Sequence, residues 1–304
     1  MSVAVRRPVR THAPIPTWFG VGGGADSMIE VRTEEDVCRG LEIDPSPRVL
    51  GDGANLLVDD DGVDGVVLAM GGFGEVAMDP GGAVAAAAGA NLPKLIAETV
   101  RRGLGGLEGL AGVPATVGGA VVMNAGGAFG QIADAVARVH GFDPDGHRRT
   151  LERAEIDFGY RRSGLHGWVI TRVELRLRPG DAAGLRTQVK RVMEYKKQSQ
   201  PMAARSAGCC FKNPTVTHDL VGDDGVEIAR AGDRVSAGLL IDRAGLKGLR
   251  VRSACVSERH GNFLVPDVNG SARDVIELME TVERRVLDRF GVRLEREVVV
   301  WRRR

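Results

Sequence analysis

Residues 207–214 hold Cys209, Cys210, Lys212, Asn213 and Pro214 in one short run: two thiols, an ammonium, a carboxamide and a turn-forming ring. No other stretch of the chain carries reactive groups at this density. A thiol can donate a proton, attack as a thiolate or fill a core as a small apolar group. Gly208 lets the backbone bend or approach a ligand, and Pro214 stops a strand from running past Asn213. Cys209 and Cys210 are therefore expected to alternate across a short strand, one facing each way. On this segment alone, a buried strand end with two packed thiols competes with a catalytic strand.

Composition narrows the classes of function. Lysine plus arginine (41) nearly balances aspartate plus glutamate (40), so no global field recruits nucleic acid or an anionic membrane. Any anionic ligand must be held by local groups. Cys38, Cys209, Cys210 and Cys255 show no metal-ligand spacing, so no metal site is expected, and adjacent Cys209 and Cys210 cannot close an unstrained disulfide. Free thiols in a reducing cytoplasm are expected. Residues 1–18 carry arginines and prolines without the apolar core of a signal peptide, and the longest apolar stretch, 83–90, is too short to cross a bilayer. The 304 residues exceed one comfortable core and predict two or three lobes.

The elements that must position these groups follow from local pattern. Residues 48–50 and 56–58 read as strands flanking a tight turn, 51–55, whose glycines let backbone N–H groups point at a phosphate. It is not a dinucleotide fingerprint, because no helix-opening G-x-G-x-x-G follows. Residues 66–68 and 84–88 read as strands, and 92–102 as a helix with Leu92, Leu95, Ile96 and Val100 on one face, ending at Gly103. Residues 103–127 are rich in glycine yet carry Val113, Val117, Val121, Val122 and Met123. That mixture predicts an ordered cofactor cradle and not a linker, which would be polar. Alternation over 169–178 predicts a half-buried strand, and 185–197 an amphipathic helix, with a lobe boundary in 198–207. Residues 239–241 and 262–265 read as strand or core segments. Residues 272–290 form the clearest helix, capped by Ser271, ended by Gly291, with Val275, Leu278, Met279, Val282, Val286 and Leu287 on one face.

Seven motifs in order then resemble one family. They are the Gly51 turn, the cradle from Leu107 to Gly127, Phe158 to Ser163, Gly208 to Pro214, Ala244 to Gly248, His260 to Phe263, and Leu294 to Val298. The family is UDP-N-acetylenolpyruvoylglucosamine reductase, MurB. The resemblance implies an α+β fold: a two-part FAD-binding domain of the vanillyl-alcohol-oxidase (PCMH) type, followed by a smaller α+β substrate-binding domain. The expected division is 1–73 with the C-terminal strand 297–304, then 74–198, then 199–296. The resemblance further implies noncovalent FAD, NADPH as hydride donor, and UDP-N-acetylglucosamine enolpyruvate as substrate, reduced to UDP-N-acetylmuramate in peptidoglycan precursor synthesis. A cytoplasmic monomer is expected, with no nucleic-acid or membrane partner, of the family's shorter type that lacks a tyrosine-bearing loop.

Residue by residue, the resemblance implies that Gly51, Gly53, Ala54, Asn55, Leu56, Gly112, Pro114, Thr116, Gly118, Gly119, Asn124 and Gly126 line the FAD. Arg161 matches the arginine that holds the substrate carboxylate, and Glu297 the glutamate that helps polarise it. The proton donor in the family is a serine, and here Cys209 stands at that position. A thiol with an ordinary pKa of about 8.5 is protonated at neutral pH and is a stronger acid than an alcohol, so donation survives the exchange. Cys210 falls at a variable position and is expected to pack. Asn213, Lys247 and, more loosely, Lys197 match positions around the diphosphate, and Tyr160 and His260 the substrate side. Ala115 and Gly261 depart from the family's usual Gly and Ala. Two other readings stand beside this one: a flavin oxidase of the same scaffold, disfavoured because the cradle has no histidine to tether a flavin, and a silent UDP-sugar or flavin binder.

Overall fold

The computed structural model describes residues 8–201, 203–222 and 225–304. Asp223, Asp224 and the first seven residues of the N-terminal reading lie outside them. Six α-helices occur among the described residues: α1 (Glu34–Ile43), α2 (Leu92–Arg101), α3 (Val117–Val122), α4 (Ala182–Ser199), α5 (Ala237–Arg243) and α6 (Ala272–Phe290). None is long and apolar enough to cross a membrane. The chain divides into two compact units: Met1–Pro14, Ala25–Asp52 and Asp64–Lys196 in the first, and Ile15–Gly24, Gly53–Val63 and Lys197–Arg304 in the second.

The first unit holds a five-stranded antiparallel sheet, in order Arg148–Glu152, Val136–Phe142, Val169–Arg176, Ala83–Ala87 and Val76–Met78. Along its middle strand Val173 and Leu175 are buried while Arg172 and Arg176 face solvent, as the alternation predicts. The buried face packs on α2 through Leu92, Leu95, Ile96 and Val100. Asn91 caps α2 by accepting from the Lys94 N–H at 3.0 Å. Small residues on the neighbouring strand let α3 sit against the sheet. A Cβ at Gly118 would lie 2.8 Å from the Ala88 Cβ, and the N–H groups of Gly118 and Val117 donate to the carbonyls of Ala88 and Ala90 at 2.8 Å. A second sheet, in order Arg10–Pro14, Gly24–Glu30, Val63–Ala69 and Arg48–Leu50, contributes Ile29 and Leu68 to the same core.

The second unit is built on α6 and a three-stranded antiparallel sheet, Arg250–Val251, Ala254–Val256 and Leu264–Pro266. Strand Val299–Trp301 pairs in parallel with Leu56–Val58. Ser271 caps α6 and Gly291, at φ 64°, ends it in the left-handed conformation that glycine adopts without strain. The apolar face departs from expectation at one end. Leu287 is 37% exposed, whereas Ile276 and Phe290 are buried, because the stripe drifts around a helix of five turns. Of the two readings of residues 239–241, the core one holds for Leu240 and Ile241 and the strand one does not. These residues belong to helix α5, capped by Ser236, with Leu239 exposed and Leu240 and Ile241 buried; three apolar residues in a row do not distinguish a strand from a helix. Among the described residues of 217–235, Leu220–Val221 pairs antiparallel with Glu227–Ala229, and His218 Nε2 lies 2.9 Å from the Phe290 carbonyl.

The start of α6 depends on a residue far away in sequence. Asp60 accepts from the Ser271 hydroxyl (2.6 Å) and from the N–H groups of Ala272 (3.0 Å) and Arg273 (3.1 Å). Burial pushes the Asp60 carboxyl up, but these donors and the Arg273 charge outweigh it, so its pKa falls below the usual range. Asp60→Ala is expected to cost about 1–2 kcal/mol in urea unfolding at neutral pH. A carboxyl depressed in the folded state contributes stability above its unfolded pKa of about 3.9 and loses it as pH falls through the lower folded value. The gap between wild type and variant should therefore close in acid; a gap of the same size at pH 7 and at pH 2 would refute the ionic cap.

Candidate functional site

The second unit brings Cys209 and Glu297 onto one antiparallel pairing. The Cys210 carbonyl accepts from the Glu297 N–H at 2.8 Å, the Lys212 N–H donates to the Glu295 carbonyl at 2.8 Å, and Phe211 bridges Arg296 between them. Lys212 and Glu295 also pair through their side chains. Arg296 fixes the 295–297 segment on α6 by two bonds to Glu283, at 2.5 and 3.0 Å. The segment 209–214 is thus extended, though it forms a single bridge and not the short strand expected.

Its two thiols part company as anticipated. Cys210 is fully buried among Phe211, Leu264 and the α6 side chains, and Cys209 is half-buried. Burial pushes the Cys210 thiol up to about 12; the Leu264 backbone hydrogen bond opposes this, and the nearby Cys209 and Glu297 add to it. Such a thiol neither ionises nor reacts at neutral pH.

Asn262, 1% exposed, holds this segment from the other side. Its Oδ1 accepts from the Phe211 N–H (2.9 Å), its Nδ2 donates to the Phe211 carbonyl (2.8 Å), and its own carbonyl accepts from the Cys210 N–H (2.9 Å). The Asn262 N–H donates to His260 Nδ1 at 3.2 Å, which leaves the proton of the neutral ring on Nε2. Burial, then the Lys247 charge, lowers the His260 pKa and favours that neutral form. Asn213 Oδ1 accepts from the Ala237 N–H at the start of α5 (3.0 Å), and Lys247 donates to Asp242 (2.7 Å). Asn55 donates through Nδ2 to the Glu297 carbonyl at 3.0 Å and accepts from the Val299 N–H at 3.1 Å, so it fastens the Glu297 strand. Leu56 is buried in the strand that follows.

The first unit presents Arg161 from a tight turn in which Gly159 and Arg162 bridge each other. Arg161 lies at φ 55° and Asn124 at φ 41°, both in the left-handed region that non-glycine residues avoid. The two are linked. Asn124, 2% exposed, donates to the Gly159 carbonyl (2.8 Å) and to Gln131 Oε1 (3.0 Å), and accepts from the Ala133 N–H (3.3 Å). Arg161 stacks over Tyr160, with Cζ 5.3 Å from the ring centroid. Lys197, singled out in the sequence, is exposed, and its carbonyl accepts from Arg259. Its neighbour Lys196 is the half-buried one. No distinct signal in the sequence separated the two.

The glycines of the cradle divide into two kinds. A Cβ at Gly51 would lie 2.6 Å from Thr116 Oγ1, at Gly112 2.7 Å from Met193 Sδ, and at Gly126 2.7 Å from the Gln131 Cβ. There, as at Gly118, the missing side chain admits the protein's own atoms. Gly119 meets only Thr116 Oγ1 within 3.4 Å, and Gly127 meets nothing within 4 Å. The N–H groups of Val117, Gly118 and Gly119 are spent on Ala90, Ala88 and the Thr116 hydroxyl, and Leu92 donates to the Ala115 carbonyl beside Pro114. Gly53 and Ala54 donate to no described residue, and Gly53 has φ 64°. The residues of the turn therefore fit a diphosphate held by backbone N–H groups, and the open side of Gly119 and Gly127 fits the approach of a flat group.

Comparison with known proteins accords with this division. Residues 26–152 match the FAD binding domain model, and residues 200–301 match the C-terminal domain of UDP-N-acetylenolpyruvoylglucosamine reductase. UDP-N-acetylenolpyruvoylglucosamine reductase 2 of Symbiobacterium thermophilum is 39% identical, covering 97% of this chain and 90% of that protein. The reductase of Thermus thermophilus is 43% identical over 93% of this chain and 95% of its own length. The crystal structure of the reductase (MurB) from Thermus caldophilus, 41% identical, superposes with a TM-score of 0.79 over 97% of this chain and 99% of that one. The fold is α+β: an FAD-binding domain followed by a reductase C-terminal domain. With relatives matched over almost their whole length, and with both of its domains accounted for, the chain belongs to the UDP-N-acetylenolpyruvoylglucosamine reductase (MurB) family.

Proposed function

We propose that this chain is a UDP-N-acetylmuramate dehydrogenase, which reduces UDP-N-acetylglucosamine enolpyruvate with NADPH during peptidoglycan precursor synthesis. The observation that carries the reading is the pairing of 209–212 with 295–297, which sets a thiol and a carboxyl group on one pair of segments. The cofactor is FAD; when bound and reduced by NADPH, it supplies a hydride from flavin N5 to one carbon of the enol-ether double bond.

Reducing a double bond beside a carboxylate builds negative charge on that carboxylate before the second carbon is protonated. Arg161 holds the carboxylate with two parallel donors and stabilises the charge. Glu297 helps polarise it, a task that requires its own carboxyl to be protonated or bridged by a donor. Cys209 then gives its Sγ proton to the second carbon, and the thiolate left behind is more stable than the alkoxide a serine would leave. Tyr160, Lys197, Asn213, Lys247 and His260 contact the substrate. Lys247 keeps two N–H donors beyond the one spent on Asp242. Gly51, Gly53, Ala54, Asn55, Leu56, Gly112, Pro114, Thr116, Gly118, Gly119, Asn124 and Gly126 hold FAD, largely through backbone groups.

The reading extends to a three-part division, 1–73 with 297–304, 74–198 and 199–296, and to the family's shorter type without the tyrosine loop. It also places the enzyme in the cytoplasm as a monomer, with no nucleic-acid or membrane partner. Purified protein should be yellow, release its flavin on denaturation, and consume NADPH when UDP-N-acetylglucosamine enolpyruvate is added. A colourless protein that is inert in that assay would sink the proposal.

A further inference from the structure

Arg161 is carried by a turn that is pinned on both flanks. The Gly159 N–H donates to the Arg162 carbonyl at 3.0 Å and the Arg162 N–H donates back to the Gly159 carbonyl at 3.2 Å, which leaves Tyr160 and Arg161 as the two loop residues. At the second loop position a positive φ calls for glycine or asparagine, because a Cβ there crowds the backbone. An arginine stands there instead, at φ 55°. Such a conformation persists only where the surrounding structure over-determines it.

The surroundings act from the end of α3. The bonds that close this helix use the carbonyls of Gly119, Ala120 and Val121, which accept from the N–H groups of Met123, Ala125 and Asn124. The Val122 carbonyl, one of the last four that a helix leaves without an internal partner, accepts from the Ser163 hydroxyl at 2.8 Å. Ser163 is 2% exposed, and its oxygen also accepts from the Leu165 N–H at 3.3 Å, so the hydroxyl is held from two sides. On the other flank of the turn Asn124, equally buried, donates to the Gly159 carbonyl at 2.8 Å. Its second Nδ2 hydrogen goes to Gln131 and its Oδ1 accepts from the Ala133 N–H, which leaves the carboxamide fully engaged. Helix α3 also carries Gly118 and Gly119 of the cradle. The turn that presents the arginine and the wall of the cradle are therefore fastened into one piece.

We propose that Ser163 is a positioning residue for the reduction: with Asn124 it fastens the turn 159–162 to the end of α3 and so sets where the Arg161 guanidinium meets the substrate carboxylate. This rests on the function proposed for the chain and on Arg161 as the holder of that carboxylate. Buried as it is, Ser163 acts through Arg161 and not on the substrate. Without its hydroxyl the Val122 carbonyl loses this donor, one flank of the turn is released, and Arg161 relaxes out of the left-handed region. A displacement of about 1 Å in a group that stabilises developing charge is enough to slow turnover roughly 10- to 100-fold.

The test uses the FAD-loaded enzyme and a cycle of Ser163→Ala, Arg161→Ala and the double variant. Stopped flow reads the reoxidation of NADPH-reduced flavin by UDP-N-acetylglucosamine enolpyruvate, and rates are counted per bound flavin so that unfolded protein does not enter. Ser163→Ala should be reduced by NADPH at the wild-type rate and reoxidised roughly 10- to 100-fold more slowly. In the Arg161→Ala background the same substitution should cost less than about twofold, because a residue that acts through another has nothing left to position. Ser163→Cys, near in size but a weaker donor, should fall between wild type and Ser163→Ala, and it carries the same measurement if the alanine variant does not fold. Reoxidation at the wild-type rate in Ser163→Ala, or an equal fold-loss in both backgrounds, overturns the proposal and leaves Ser163 a purely structural cap. Failure of the underlying reading looks different: Arg161→Ala itself would turn over normally, or the wild-type flavin would not be reoxidised by the enolpyruvyl substrate at all.

Discussion

Cys209→Ala should still be reduced by NADPH yet lose substrate turnover by roughly 10²–10⁴-fold, the range expected when a general acid is removed. Binding and hydride delivery do not need the Cys209 proton, so the loss should fall on kcat and leave affinity for the substrate nearly intact. Cys209→Ser should keep substantial activity, since a hydroxyl at the same Cβ can donate from the same place. Cys210→Ala is the matched control. Its thiol is fully buried and held up at about 12, so its removal should cost packing and leave the chemistry. Stopped-flow traces that separate flavin reduction from flavin reoxidation read the two steps apart. If Cys209→Ala reoxidises at the wild-type rate, the proton comes from another donor and the assignment fails.

Asn262→Ala should lower folding stability by about 2–4 kcal/mol, with the urea midpoint moving and the m-value held. The carboxamide acts as a missing strand: one atom accepts from the Phe211 N–H and the other donates to the Phe211 carbonyl, at 2.9 and 2.8 Å. Phe211 is 1% exposed, so water cannot replace either partner and both backbone groups would be left unpaired. Asn262→Asp should not rescue the loss, because a carboxylate would face the Phe211 carbonyl without a donor. On the proposed mechanism the folded fraction should also turn over more slowly, since Phe211 bridges Arg296 and so aligns the Cys209 segment with the Glu297 segment. A midpoint within error of wild type would show that Asn262 fastens nothing.

Much of the architecture could be read locally. Helix α6, with Ser271 before it and Gly291 after it, and the strand through Val173 and Leu175 emerged at the expected places. Their apolar periods run long enough for neighbouring residues to state which face is buried. Short runs were less informative. Leu239, Leu240 and Ile241 carry no period, and α5 exists because Ser236 caps it and Leu240 and Ile241 find the core. The peptide segment 209–214 was legible as a cluster of reactive groups, but not the partners that make it rigid.

The sequence by itself determined the inventory of chemistry: two adjacent thiols beside a lysine and an asparagine, an arginine and a glutamate within motifs, glycines in the turn 51–55 and the cradle. Composition and local spacing suffice for that, because side-chain chemistry is set by residue type and turns by adjacent residues. Tertiary structure alone decided which residue of a near-identical pair does what. Cys210 is buried and Cys209 half-buried because Asn262 and residues 295–297 grip the backbone from both sides. Lys196 turns in and Lys197 out because one residue on a helix is a rotation of about 100°, and only the packing on Gly112 fixes the zero of that rotation. Asp60 caps a helix 211 residues away for the same reason. Such contacts join positions that no local pattern connects, and only the folded chain brings them within hydrogen-bonding distance.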